Sequence, residues 1–157
     1  HDTNEPDATH KLYPLRELDF ERRYFETIPR ALDRLYVETL RAYYSQSRTL
    51  CAAGLRALIE GICAEEKIRS GLVSDDNGRQ VRRRNLQGKI AGMVEAGLIT
   101  PANARALHQL RFLGNAALHE LREPSERGLR TAMEIIEHTL EELYDVATKA
   151  DQLGARS

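Results

Sequence analysis

The segment TPANARALHQLRFLGNAALHELREP, residues 100–124, predicts a long amphipathic helix. Thr100 followed by Pro101 is a start signal, because a hydroxyl side chain caps free N–H groups and proline fits the first helical position. The helix must end before Pro124, since the residue preceding a proline is displaced from the helical region. At about 100° per residue, one side of this helix is apolar and the other is polar. The pattern is typical of a helix in a bundle.

The two sides of this helix differ in chemistry. The apolar side, an arc of about 80°, carries Leu110, Leu113, Ala117 and Leu121. The opposite side carries His108, Arg111, Asn115, His119 and Arg122, without a carboxylate. Imidazoles and guanidiniums donate hydrogen bonds to phosphate, and imidazoles also exchange protons near neutral pH. A hydrated face, or a buried face whose hydrogen bonds are satisfied by neighbouring helices, gives the same pattern.

Glycines on helices predict where helices meet. Gly114 lies in a helix interior, where glycine costs about 1 kcal/mol relative to alanine. Gly54 and Gly61 lie seven residues apart on one face of another predicted helix. Small residues at such positions allow a second backbone to approach closely, and we expect helix contacts at all three.

The remaining chain also has a helical period. We expect helices over about residues 17–27, from Pro29, from Ser47 to about Ile68 with Leu50 on its apolar side, from Asn85 to a C-terminal Gly97, and after Ser125. Residues 70–84 form a long break with a turn signal at Asp76, Asn77 and Gly78. No stretch alternates as a strand does. The predicted fold is therefore all-α, a bundle of five or six helices, with a polar arm or linker at 1–16, a helical domain at 17–150 and a flexible tail at 151–157.

Composition limits the class of protein. The chain has 157 residues and a net charge of −1, so any contact with nucleic acid must come from a local basic patch. No apolar run approaches the ~18 residues of a membrane span. Cys51 and Cys63 are too few for a disulfide framework, which favours a cytoplasmic protein with buried thiols. We expect no cofactor and no metal, and the start at His1 suggests a piece of a longer polypeptide.

The string RFLGNAALH, with Leu86, Ile90 and Gly97-Leu98-Ile99 before it, resembles the domain-of-unknown-function family numbered 4145. Tyr13-Pro14, Arg56-Ala57-Leu58-Ile59-Glu60 and the last helix fit the same family, so the similarity runs from about Tyr13 to Tyr144. That family resembles the higher-eukaryote and prokaryote nucleotide-binding (HEPN) superfamily. The resemblance implies a helical bundle that dimerises and occurs in prokaryotic restriction, toxin–antitoxin or antiphage systems.

Active HEPN ribonucleases carry an Arg, a polar residue such as Asn, then three residues and a His. Asn115 and His119 match the last two elements, and Gly114 stands where the Arg is expected. The resemblance implies His119 as the proton-transfer residue and Asn115 as the group that positions phosphate or His119. Arg111, one turn earlier on the same face, would supply the positive charge. His108 is about 16 Å along the axis from His119, so a second imidazole requires a homodimer.

A second basic candidate follows the break. A group of cations without an acidic residue among them could contact a phosphate backbone, together with Arg122 and His108. The group consists of Arg79, Arg82, Arg83, Arg84 and Lys89. A solvated loop whose charge is offset by Asp75 and Asp76 is the alternative. No aromatic residue is interleaved among these cations, so base stacking is not indicated there.

Three functions are compatible with the sequence. The leading hypothesis is a HEPN-like module that dimerises and interacts with RNA or another nucleic acid, within a larger defence or restriction protein whose other domains are further partners. The second is a metal-independent endoribonuclease that uses Asn115 and His119 at a dimer interface. The third is a scaffold for protein interactions alone. Gly114 in place of Arg favours the first hypothesis over the second.

Overall fold

The computed structural model describes residues 20–145 and 153–154. Within residues 20–145 the chain forms five helices and one hairpin, in the order α1 (Arg30–Tyr44), α2 (Arg48–Glu65), β1 (Gly71–Ser74), β2 (Gln80–Arg83), α3 (Leu86–Glu95), α4 (Pro101–His119) and α5 (Glu126–Tyr144). The predicted arm at 1–16 and most of the predicted tail at 151–157 lie outside these residues. The mainly helical fold and the five helices agree with the sequence.

Three predicted helix starts are confirmed by their hydrogen bonds. Asn85 Oδ1 accepts from the backbone N–H of Gly88, and Thr100 Oγ1 and Ser125 Oγ accept in the same way at the starts of α4 and α5. Ser47 precedes α2 as predicted, but its hydroxyl makes no capping hydrogen bond and lies 3.0 Å from Ser45 Oγ instead. Gly97 follows α3 with a φ of +72°, as a C-terminal glycine does.

Helix α2 is at the centre of the bundle and contacts the other four helices. Its buried side carries Cys51, Ala52, Leu55, Leu58, Ile59, Ile62 and Cys63. Leu50 was predicted on this side, and that prediction is wrong, because the side chain is 68% exposed. Leu50 comes one residue before Cys51, so it points about 100° away from the buried face.

The segment before α1 is not a helix. The predicted helix over residues 17–27 is wrong for residues 20–27, which run without helical structure across α1 and α5. Tertiary contacts explain this conformation: Phe25 is buried, Arg22 pairs with Asp33, and the backbone N–H of Thr27 donates to Tyr144 O at 3.1 Å. These partners hold the segment in a non-helical path across α1 and α5, and a local helix would lose those contacts.

The break at residues 70–84 contains the antiparallel pair β1–β2, in the register Gly71 with Arg83 through Ser74 with Gln80. The expectation that the chain has no strand is therefore wrong here. The hairpin packs on α3 through glycine: a side chain at Gly88 or Gly92 would collide with the backbone of Arg83 or Ser70, respectively. Because these close contacts are between backbones, the hairpin can pack on α3 without the alternation of apolar and polar residues that marks a half-buried strand.

Candidate functional site

Helix α4 meets α2 at Gly114. A methyl group at this position would lie 3.0 Å from Arg56 Cβ and 3.3 Å from Ala52 O, so the helix contact predicted from this glycine is confirmed. The buried face of α4 is centred on this contact and also includes Ala104, Leu107, Leu110 and Ala117. Leu121, predicted on the inward face, lies beyond the end of α4 and is 83% exposed, so that prediction is wrong. Its φ of +51° turns the chain away after the helix.

Asn115 is joined to α2 by a side-chain hydrogen bond. Arg56 Nη1 donates to Asn115 Oδ1, and both side chains are partly buried. The bond fixes the amide, because the oxygen is taken by the guanidinium and the Nδ2 group remains as the donor. The close contact at Gly114 places Arg56 beside this residue. A guanidinium from α2 therefore lies beside Asn115, next to the helix contact at Gly114.

Arg111 and His108 precede Asn115 on the same face of α4, and each has a buried atom without a partner. Within the part of the chain that the structure describes, Arg111 Nε and His108 Nδ1 are buried and make no hydrogen bond. The Arg111 guanidinium lies over Phe112, with Cζ 4.4 Å from the ring centroid. Phe112 itself is 55% exposed.

The charges in this cluster are positive. Burial lowers the pKa of Arg111, and the nearby charge of Arg56 lowers it further. Burial also lowers the pKa of His108, with a second contribution from Arg111. Among the described residues, neither Arg56 nor Arg111 has an ion-pair partner. The cluster thus holds two guanidiniums close together without a neutralising carboxylate, which is an arrangement that an anion would stabilise.

His119 is the last residue of α4 and is exposed. It follows Asn115 by about one helical turn and Arg111 by two, which puts it ~12 Å along the axis from Arg111. Arg122 lies beyond the helix, is exposed and pairs with Glu120 at 3.4 Å. Asn115 and His119 are therefore neighbours along one face, while the Arg111 guanidinium lies against Phe112.

The hairpin cations divide into paired and unpaired groups. Arg82 lies 3.4 Å from Glu95, and Lys89 Nζ donates to Glu60 Oε2 at 2.8 Å. Within residues 20–145, Arg79, Arg83 and Arg84 are exposed and have no ion-pair partner. In the turn between the strands, Asp75 Oδ1 accepts hydrogen bonds from the backbone N–H groups of Asn77 and Arg79. The acids that neutralise part of this patch come from α2 and α3.

The two cysteines are buried inside the bundle. Burial raises the pKa of both thiols to about 12, so neither is a thiolate at neutral pH. Cys63 Sγ donates to Met93 Sδ at 3.4 Å. In the described part of the chain there is also no group of three His, Cys, Asp or Glu side chains that could hold a metal ion.

Two residues of this site are missing from the set predicted from sequence. Arg56 lies 59 residues before Asn115, and only the packing of α2 on α4 brings them together. The signal that could have located it is Gly114, which predicted a helix contact without identifying the partner helix. Phe112 stands beside Arg111 in the sequence, but its exposure depends on how α4 is oriented.

Comparison with known proteins places the chain in a family. No curated protein and no solved structure matches the chain. Among the described residues, no helix is both long enough and apolar enough to cross a membrane. A family model described as a domain of unknown function, DUF4145, matches residues 37–156, which include the second half of α1, the hairpin and all of α2 to α5. Since this match covers most of the sequence, the chain belongs to the DUF4145 family.

Proposed function

We propose that this chain is a HEPN-like helical module that dimerises and binds nucleic acid within a larger prokaryotic protein of a defence or restriction system. The observation that carries the proposal is the face formed by Arg56, Arg111 and Asn115, where two guanidiniums lie without a carboxylate partner among the described residues. The unpaired hairpin arginines add positive charge for a phosphate backbone. Both features favour an anionic partner over a purely apolar one.

Exposed apolar residues support dimerisation through the end of α4. Leu118 and Leu121 are 43% and 83% exposed, respectively, on either side of His119. Large apolar side chains grouped in this way are typical of an interaction surface. A two-fold contact there would bring two copies of His119 together and cover these side chains.

The test combines solution mass with RNA binding. Light scattering should give a mass of two chains, and fluorescence anisotropy should show binding to mixed single-stranded RNA that weakens as salt increases. His119→Ala should fold with an unchanged melting midpoint, because the side chain is exposed. His138→Ala, another exposed imidazole on α5, is the matched control. A monomer that does not bind RNA would contradict the proposal and favour the scaffold.

A metal-independent endoribonuclease is the second candidate, and the Arg56–Asn115 hydrogen bond is the observation in its favour. In this reaction His119 would either accept the proton of the 2′-hydroxyl as that oxygen bonds to phosphorus, or donate a proton to the 5′-oxygen as its bond to phosphorus breaks. Arg56 would supply the charge that stabilises the phosphorane, in place of the arginine absent at Gly114. Incubation with RNA in EDTA separates the two candidates: cleavage that His119→Ala abolishes and His138→Ala retains identifies the enzyme.

A further inference from the structure

The cluster between α2 and α4 contains polar atoms that the fold leaves unpaired. His108 Nδ1 and Arg111 Nε are buried without a hydrogen-bond partner among the described residues, although both side chains as a whole stay partly exposed. Folded proteins pair nearly all buried polar groups, so unpaired ones need an explanation. A ligand that reaches the exposed part of these side chains could supply the missing partner after a small side-chain rotation.

The charge of the cluster indicates the sign of that ligand. Arg56 and Arg111 are close enough for one charge to oppose the other, and the described residues place no carboxylate between them. Asn115 uses its oxygen to accept from Arg56, so its Nδ2 group is the part of the amide left to donate. In this cluster, the groups left to bind a ligand are hydrogen-bond donors or cations. The His108 imidazole is the exception, because it can donate or accept. An oxyanion satisfies such a set, and guanidinium forks fit phosphate well.

Phe112 indicates what is attached to the phosphate. Its ring is 55% exposed and lies beside the Arg111 guanidinium, 4.4 Å from Cζ to the centroid. An exposed aromatic ring next to a phosphate-binding cation is a surface on which a nucleic-acid base can stack. Inorganic phosphate would leave this ring unused.

We propose that Arg56, His108, Arg111 and Asn115 form a binding site for the phosphate group of a nucleotide, with Phe112 contacting the attached base. The site rests on the proposed function and specifies it, since it lies about two turns of α4 before His119. The phosphate belongs either to a free nucleotide or to a polynucleotide backbone.

Isothermal titration calorimetry with three probes tests the site: inorganic phosphate, adenosine 5′-monophosphate and a single-stranded RNA dodecamer. Arg111→Gln should weaken binding of phosphate and of both nucleotide probes about tenfold or more, because it removes a charged hydrogen bond to the phosphate group. Phe112→Ala should weaken binding of the two nucleotide probes at least about fivefold and leave phosphate unchanged, because it removes stacking alone. Since Phe112 is exposed, this second variant tests the site even if Arg111→Gln folds poorly.

Arg34→Gln is the matched control and should bind as the wild type does. Arg34 is an exposed cation on α1, which packs against α2 at Gly54 and Gly61, on the side opposite Arg56. If the two substitutions weaken binding of the mononucleotide, the site binds free nucleotides. If they weaken binding of RNA alone, the site binds a polynucleotide backbone. RNA binding that both variants leave unchanged overturns this site while the proposed function stands. Failure of all three probes to bind overturns both.

Discussion

Two basic regions of the molecule differ in how their charges are held. In the hairpin region, Arg82 and Lys89 pair with Glu95 and Glu60, and the remaining cations are exposed to water. On the α2–α4 face, Arg56 and Arg111 are partly buried near each other and have no acid partner among the described residues. The number of arginines alone would favour the hairpin over the α2–α4 face. Burial and pairing, rather than the number of cations, decide which region needs an anion.

The largest effect on stability is expected at the contact between α2 and α4. Gly114→Leu should lower the free energy of unfolding by about 2–3 kcal/mol, because the larger side chain has no room beside Arg56 and Ala52. Urea denaturation measures this change. Ala102→Leu, an exposed position in the first turn of the same helix, is the control and should change stability by less than about 0.5 kcal/mol. Equal effects at the two positions would mean that α4 does not depend on a close contact with α2.

Arg111→Met should act in the opposite direction and stabilise the ligand-free protein by about 1 kcal/mol. The substitution removes an unpaired buried Nε and a charge repelled by Arg56, which together outweigh the lost contact with Phe112. Thermal and urea denaturation measure the change in ligand-free protein. A clear loss of stability would show that the guanidinium has a partner, and the two basic regions would then be alike.

The pH dependence of stability should come partly from His108. Its pKa is lowered in the folded state, so the unfolded chain binds the proton more tightly. Stability from this residue is therefore complete above pH ~6.5, the usual pKa of histidine, and is lost as the pH falls through the lower folded-state value. His108→Gln should flatten this part of the profile, measured by urea denaturation at pH values below and above ~6.5.

Arg111→Met provides the control for this pH effect, because the Arg111 charge is the second cause of the lowered pKa. The variant should reduce the pH dependence without abolishing it, since burial remains the first cause. A profile that neither substitution changes would place the His108 imidazole in water.

The smallest effect is expected in the hairpin. Arg82→Met should cost less than about 1 kcal/mol, because the ion pair with Glu95 is exposed and screened by solvent. The same denaturation measurement, repeated at high salt, should bring the variant and the wild type still closer. A cost comparable to that of Gly114→Leu would make the hairpin pair a structural element and remove the contrast between the two regions.

Local chemistry in the sequence was sufficient to predict most of the fold. Thr100, Ser125 and Asn85 cap their helices as predicted, because a cap depends on three or four neighbouring residues. The hairpin was missed because its strands have only four residues each and pack on α3 through glycine backbones. The path of residues 20–27 was missed because partners distant in sequence, such as Tyr144, hold it.

The candidate site was predicted only where one helix carries it. His108, Arg111, Asn115 and His119 share a face of α4, and helical spacing alone groups them. Arg56 depends on a contact between residues 59 positions apart, which no periodicity reveals. Spacing also could not show that Arg111 lies over Phe112 rather than extending along the helix toward His119.

The hairpin is attached to α3 through glycine contacts, which involve its main chain rather than its exposed side chains. Gly88 and Gly92 of α3 hold the hairpin by its main chain, so its position does not depend on the side chains it presents to solvent. Arg79, Arg83 and Arg84 can therefore change identity without loosening the hairpin from α3. Descendants of this sequence are free to alter what the hairpin recognises while they retain the same scaffold beneath it.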